Sequence, residues 1–176
     1  MTYTDVSLNE ASEIIKLAGY NNILSIEKLD GGWANSNYIL TLENNEKLVL
    51  KIWNEQSIEE VNYLLKMTNY IVEKNFPTPK PIKFSNGEYY INKNGRAWTL
   101  LPFIHGNWLE SNHLSLYSLG IIQAKLHTIE PPNELKKEFS MGINLFNKLY
   151  SIADGNNEWP DFIKFLRNET HCLLYT

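Results

Sequence analysis

The chain has 176 residues, 43% of them hydrophobic and 20% charged, with a formal net charge of -4. That size allows one good core, or one small lobe and part of a second. The acidic balance argues against nucleic acid or an anionic membrane surface as a partner, and no run approaches the roughly 20 apolar residues needed to span a bilayer. Met1 to Leu8 carries neither the basic nor the apolar region of a signal peptide. A single cysteine, Cys172, makes neither an internal disulfide nor a metal cluster. A reducing cytoplasm is the expected setting.

Residues 7–18, SLNEASEIIKLA, read as an amphipathic helix with Ser7 and Glu10 as a capping box and Gly19 as its stop. Short strands follow. ILSIEKL at 23–29 is the first, and Asp30-Gly31-Gly32 signals a turn. NYILTLE at 37–43 is the second, closed by a tight turn at Asn44-Asn45. KLVLKIW at 47–53 alternates apolar and polar side chains as the third. The three form an antiparallel meander.

Residues 57–74 read as the clearest helix. Ser57 and Glu60 make a second capping box, and Ile58, Val61, Leu64, Leu65 and Ile71 fall near one face. Pro77, Pro79 and Pro81 force extended backbone after it. A hairpin around Asn86-Gly87, a strand at 89–91 and another at 97–104 complete the sheet. A helix then runs over 111–129, with Leu119, Ile122 and Leu126 expected to lack partners. The remainder reads as helical and loop-rich. The fold class is α+β: a five-stranded antiparallel sheet plus one helix, then the incomplete start of an all-helical lobe. The expected division is 1–102 and 103–176, with the boundary at Pro102–Gly106.

One constellation points to chemistry. A nucleoside triphosphate needs backbone donors at close range, and glycine permits that approach. Gly31-Gly32, followed by Asn35, Ser36 and Asn37, fits a lid over phosphates. Lys51, in a strand otherwise made of Leu, Val, Ile and Trp, would supply a positive charge, and Glu60 or Glu59 in the next helix would hold it. Each feature also has an ordinary explanation, since a Gly-Gly turn joins many hairpins and Glu60 is already the third residue of a capping box. Their order and spacing carry the argument.

That order resembles the protein-kinase-like fold, and more closely the family of aminoglycoside phosphotransferases, type II homoserine kinases and choline kinases. Gly31 to Tyr38 resembles the nucleotide loop, and Leu48-Val49-Leu50-Lys51-Ile52 the lysine strand. Phe76 to Pro81 is similar to the stretch after the family's helix. Leu100 to Gly106 looks like the hinge, and Leu119 to His127 like the first helix of the large lobe. The resemblance covers roughly residues 20–130. It implies an ATP site with Lys51 on the phosphates and backbone groups of Leu101, Pro102 and Phe103 against adenine. Trp98 or Phe103 is a candidate wall for the base.

The family's catalytic loop reads His-Gly-Asp, four residues, then Asn, with a metal-binding aspartate later. The four aspartates here, Asp5, Asp30, Asp154 and Asp161, do not fit that pattern. His105-Gly106-Asn107 with Asn112 matches except for its first amide, and an amide cannot act as a base. The sequence is therefore expected to stop before the catalytic loop, without ligands for Mg²⁺. Cys172 to Thr176 matches the translation of a sequencing-library adapter. The implied function is ATP-dependent transfer of a phosphoryl group to a hydroxyl of a small metabolite by the full-length relative. A homoserine-like acceptor comes first, and choline- or aminoglycoside-like ones next. The alternative is a non-catalytic, pseudokinase-like nucleotide-binding or interaction module.

Overall fold

The computed structural model describes residues 3–29, 34–107 and 109–135. The chain divides into two compact units, Met1–Pro132 and Asn133–Thr176, and every element named below lies in the first.

Helix α1 (Leu8–Leu17) opens with the expected capping box. The Ser7 hydroxyl accepts from the Glu10 amide, and the Glu10 carboxylate accepts from Ser7 N–H at 3.0 Å. These bonds satisfy donors that a first turn cannot pair internally. At its other end Gly19 takes φ 81°, Tyr20 N–H reaches the Ile15 carbonyl and Gly19 N–H the Lys16 carbonyl. This is a left-handed termination, which glycine adopts without a Cβ clash.

The sheet contains β1 (Ile23–Leu29), β2 (Asn35–Leu42), β3 (Lys47–Trp53), β4 (Ile91–Lys93) and β5 (Arg96–Pro102). All neighbours pair antiparallel, in the order β1-β2-β3-β5-β4. Three boundaries differ from the sequence reading. β2 begins at Asn35 because Asn35 and Ser36 already pair with Trp53 and Ile52. β4 lies at 91–93 because Asn94 (φ 54°) and Gly95 (φ 77°) make a two-residue turn whose twist suits a hairpin. Lys93 then pairs with Arg96 and Ile91 with Trp98. β5 ends at Pro102 because its partner β3 runs out at Lys47. The Asn86-Gly87 turn forms, with Gly87 N–H on the Phe84 carbonyl at 2.9 Å, but no ladder flanks it.

Period-two burial separates the faces of the sheet. On one face lie Tyr38, Leu40 and Leu42 of β2, Leu48, Leu50 and Ile52 of β3, and Trp98 and Leu100 of β5. They pack with Ala11, Ile14 and Ile15 of α1 to form the main core. The opposite face carries Asn35, Asn37 and Ile39 of β2, Val49, Lys51 and Trp53 of β3, and Ala97, Thr99 and Leu101 of β5, as the registers require. Helix α2 (Ile58–Glu73) covers part of that face by packing Val61 and Leu65 on Ala97, beside Trp53 and Ile58. Asn75 at φ 60° ends α2, with Phe76 N–H on the Ile71 carbonyl, so the stop precedes the prolines.

The segment before α1 is tied across the main-core face. Thr4 N–H donates to Ser36 Oγ at 2.8 Å, and Thr4 Oγ1 donates to Asn54 Oδ1 and accepts from Arg96. Tyr38 donates to the Thr4 carbonyl at 2.8 Å. Helix α3 (His113–His127) is capped by Asn112, whose side chain accepts from Ser115 N–H. It buries no residue, and Leu119, Ile122 and Leu126 are exposed. No helix among the described residues is long and apolar enough to cross a membrane.

Candidate functional site

Lys51 lies near the middle of the face that α2 partly covers. It stands opposite Asn37 on β2 and Thr99 on β5. Its surroundings are dry enough that burial lowers the ammonium's pKa from its ordinary value. Among the described residues no carboxylate pairs with it. Lys51 Nζ instead sits 3.7 Å from the centroid of the Trp53 ring. That indole is fixed at its edge, since Trp53 Nε1 donates to Thr99 Oγ1 at 3.2 Å. Thr99, fully buried, donates in turn to the Lys51 carbonyl at 3.3 Å.

The glutamate expected beside Lys51 is elsewhere. Glu60 spends its carboxylate on the cap of α2, accepting from Ser57 N–H at 2.8 Å, and both Glu59 and Glu60 are exposed. The helix N-terminus competes for the same charge and wins, because its unpaired amides lie within reach.

Gly31 and Gly32 lie outside the described residues. The three polar residues after them are strand rather than loop. Asn37 pairs with both Leu29 and Lys51, and its N–H donates to Tyr3 Oη at 3.2 Å while its carbonyl accepts from it at 2.7 Å. Ser36 is fully buried on the main-core face, where Oγ accepts from Thr4 N–H and the Asn54 amide. Its hydroxyl cannot face phosphates from there. Asn35 is on the Lys51 face, opposite Trp53, and its Oδ1 is buried with no donor among the described residues. A lone buried acceptor of this kind costs about 1–3 kcal/mol until something donates to it.

At the far end of β5 the backbone offers a second set of groups. Phe103 N–H donates to the Lys47 carbonyl at 3.2 Å. Antiparallel strands turn successive residues' backbone groups to opposite sides, so the Pro102 carbonyl points away from β3. Among the described residues it has no donor, and Ile104 N–H, two residues on, has no acceptor. An acceptor and a donor two residues apart on one edge suit the edge of a purine. The sequence reading included Leu101, Pro102 and Phe103 but missed Ile104; the alternation of an extended chain through a proline was the available signal. Trp98 does not wall this space. It is 3% exposed and sits in the main core. Phe103 packs edge-on to His105, 4.9 Å between centroids.

Among the described residues no group of three His, Cys, Asp or Glu side chains could hold a metal ion. A cavity of about 390 Å³ lined by Tyr20, Leu42 and Glu43 lies at the opposite end of β2 from Asn37 and plays no part in this site.

The five-stranded antiparallel sheet with its helices has the protein-kinase-like fold. The chain belongs to the phosphotransferase enzyme family, whose profile matches residues 25–170. It is 26% identical over 176 residues to a homoserine kinase of Methylobacillus flagellatus, covering 98% of this chain and 51% of the relative. It is 28% identical over 127 residues to a homoserine kinase of Zymomonas mobilis, covering 71% and 40%. The chain spans about half the length of the curated relatives it matches. Among solved structures it is similar to a spectinomycin phosphotransferase in complex with ADP and spectinomycin, at TM-score 0.64 and 15% identity over 93% of this chain and 53% of the other. An amicoumacin kinase in complex with AMP-PNP, Ca²⁺ and Ami is also similar, at TM-score 0.59 and 14% identity, over 90% of this chain and 53% of the other.

Proposed function

We propose that this lobe binds ATP on the face between β2, β3 and the end of β5. Lys51 meets the phosphates, Gly31-Gly32 covers them, and the Pro102 carbonyl and Ile104 N–H take the adenine edge, flanked by Leu101 and Phe103. Asn35 and Asn37 line the phosphate side. Glu60 and the Ser36 side chain are left out, because their bonds are made elsewhere. The observation that carries this reading is the partly desolvated Lys51 ammonium, on the sheet face beside Trp53, with no carboxylate partner among the described residues.

The whole protein, on this reading, transfers the γ-phosphoryl group of ATP to a hydroxyl of a small metabolite. A homoserine-like amino alcohol is the first choice, supported by the homoserine kinases among its relatives; choline- and aminoglycoside-like acceptors come next. The 176 residues contain no His-Gly-Asp sequence, so this chain alone is expected to bind nucleotide without transferring phosphate. Calorimetric titration with MgATP and with adenosine, beside a coupled ADP-release assay with homoserine, tests both parts. Binding without turnover is expected. Absence of binding ends the nucleotide reading, and turnover ends the claim that this chain is inactive.

A further inference from the structure

Trp53 has two sides in use. One packs with Val61, Leu65 and Ala97 between α2 and the sheet. The ring also takes the Lys51 ammonium at 3.7 Å from its centroid. Its edge N–H is held by Thr99, whose hydroxyl is bonded back to the Lys51 carbonyl. The ring therefore cannot turn without breaking its hydrogen bond to the fully buried Thr99. A lysine side chain has four rotatable bonds, and no carboxylate is present among the described residues to choose one conformation. The negative face of a fixed indole makes that choice instead.

We propose that Trp53 is the positioning residue for Lys51, holding the ammonium toward the phosphates of a bound nucleotide. This rests on the nucleotide reading above. The position of α2 reaches Lys51 through apolar contact with an indole, where an ion pair to the helix was expected. The charge stays available to phosphate because a π face attracts a cation without neutralising it.

The test compares the chain with Trp53→Leu, which keeps apolar packing, and Trp53→Phe, which keeps a π face without the N–H. Binding of MgATP and of adenosine is measured by calorimetry. The Lys51 ε-methylene protons, identified as the signal missing from Lys51→Met, are followed by NMR for the upfield shift an indole face imposes. Trp53→Leu should weaken MgATP by about 2- to 30-fold, the range of a cation–π contact. It should leave adenosine unchanged and erase the upfield shift, while Trp53→Phe restores most of the ATP affinity. Equal ATP affinity in Trp53→Leu and the parent overturns the proposal. So does an equal loss of ATP and adenosine, which marks a packing role only, or a parent Lys51 signal with no upfield shift. A parent that binds neither ligand ends the nucleotide reading itself, and this role with it, before any variant is made.

Discussion

Lys51 Nζ lies 3.7 Å from the centre of the Trp53 ring, while Glu60, the expected partner of Lys51, binds Ser57 N–H at 2.8 Å. The two halves of an expected ion pair are thus committed to different neighbours. Glu60→Ala should cost about 0.3–1.5 kcal/mol of stability through the lost cap. It should leave MgATP affinity within error of the parent. Urea unfolding and calorimetry check the two halves, and a tenfold loss of ATP affinity would show that Glu60 turns to Lys51 when nucleotide arrives.

Ser36→Ala addresses a residue first placed in the phosphate lid. Its hydroxyl accepts from Thr4 N–H and Asn54 in a fully buried position. Removing it leaves donors unpaired, at about 1–3 kcal/mol. The expected result is a lower unfolding midpoint with adenosine affinity unchanged in the folded fraction.

The pH dependence of stability has one traceable source in α1. The Glu10 carboxyl is held down at about 2, mainly by the Ser7 backbone amide and then by the Ser7 hydroxyl and Lys93. A depressed carboxyl contributes stability that is present above its unfolded pKa of 4.5 and lost as pH falls through about 2. Glu10→Gln should therefore be less stable than the parent at pH 7, with the gap closing between pH 4.5 and 2. Its size is limited because the side chain is 37% exposed. Thermal melts of both proteins across that range check the sign.

The main core has a test of its own. Leu50 is fully buried at the centre of β3 between α1 and the sheet. Leu50→Ala should cost about 2–5 kcal/mol, read as a shift in urea midpoint with an unchanged slope.

Much of this was legible in the residues. Capping boxes at Ser7 and Ser57 marked both helix starts because a hydroxyl and a glutamate three residues apart have one local use. Alternation in Leu48 to Trp53 gave β3 its two faces and put Lys51 opposite Leu50. What stayed hidden depends on register and competition. Ser36 and Asn37 are adjacent, and only pairing with Ile52 and Lys51 tells which one faces the site. Nothing in the spacing of Lys51 and Glu60 shows that the helix cap holds the carboxylate. Trp53 read as a strand hydrophobe, because a ring two residues from a lysine becomes its partner only when Thr99 fixes the ring.

The central claim is that the Lys51 face binds the phosphates of ATP. Calorimetric titration of MgATP into the parent chain and into Lys51→Met, with adenosine as the phosphate-free control, tests it most directly. The parent should bind both ligands; Lys51→Met should lose tenfold or more of its ATP affinity, about 1.4 kcal/mol, and keep its adenosine affinity. Equal ATP affinity in the two proteins, or no binding by the folded parent, would contradict the account.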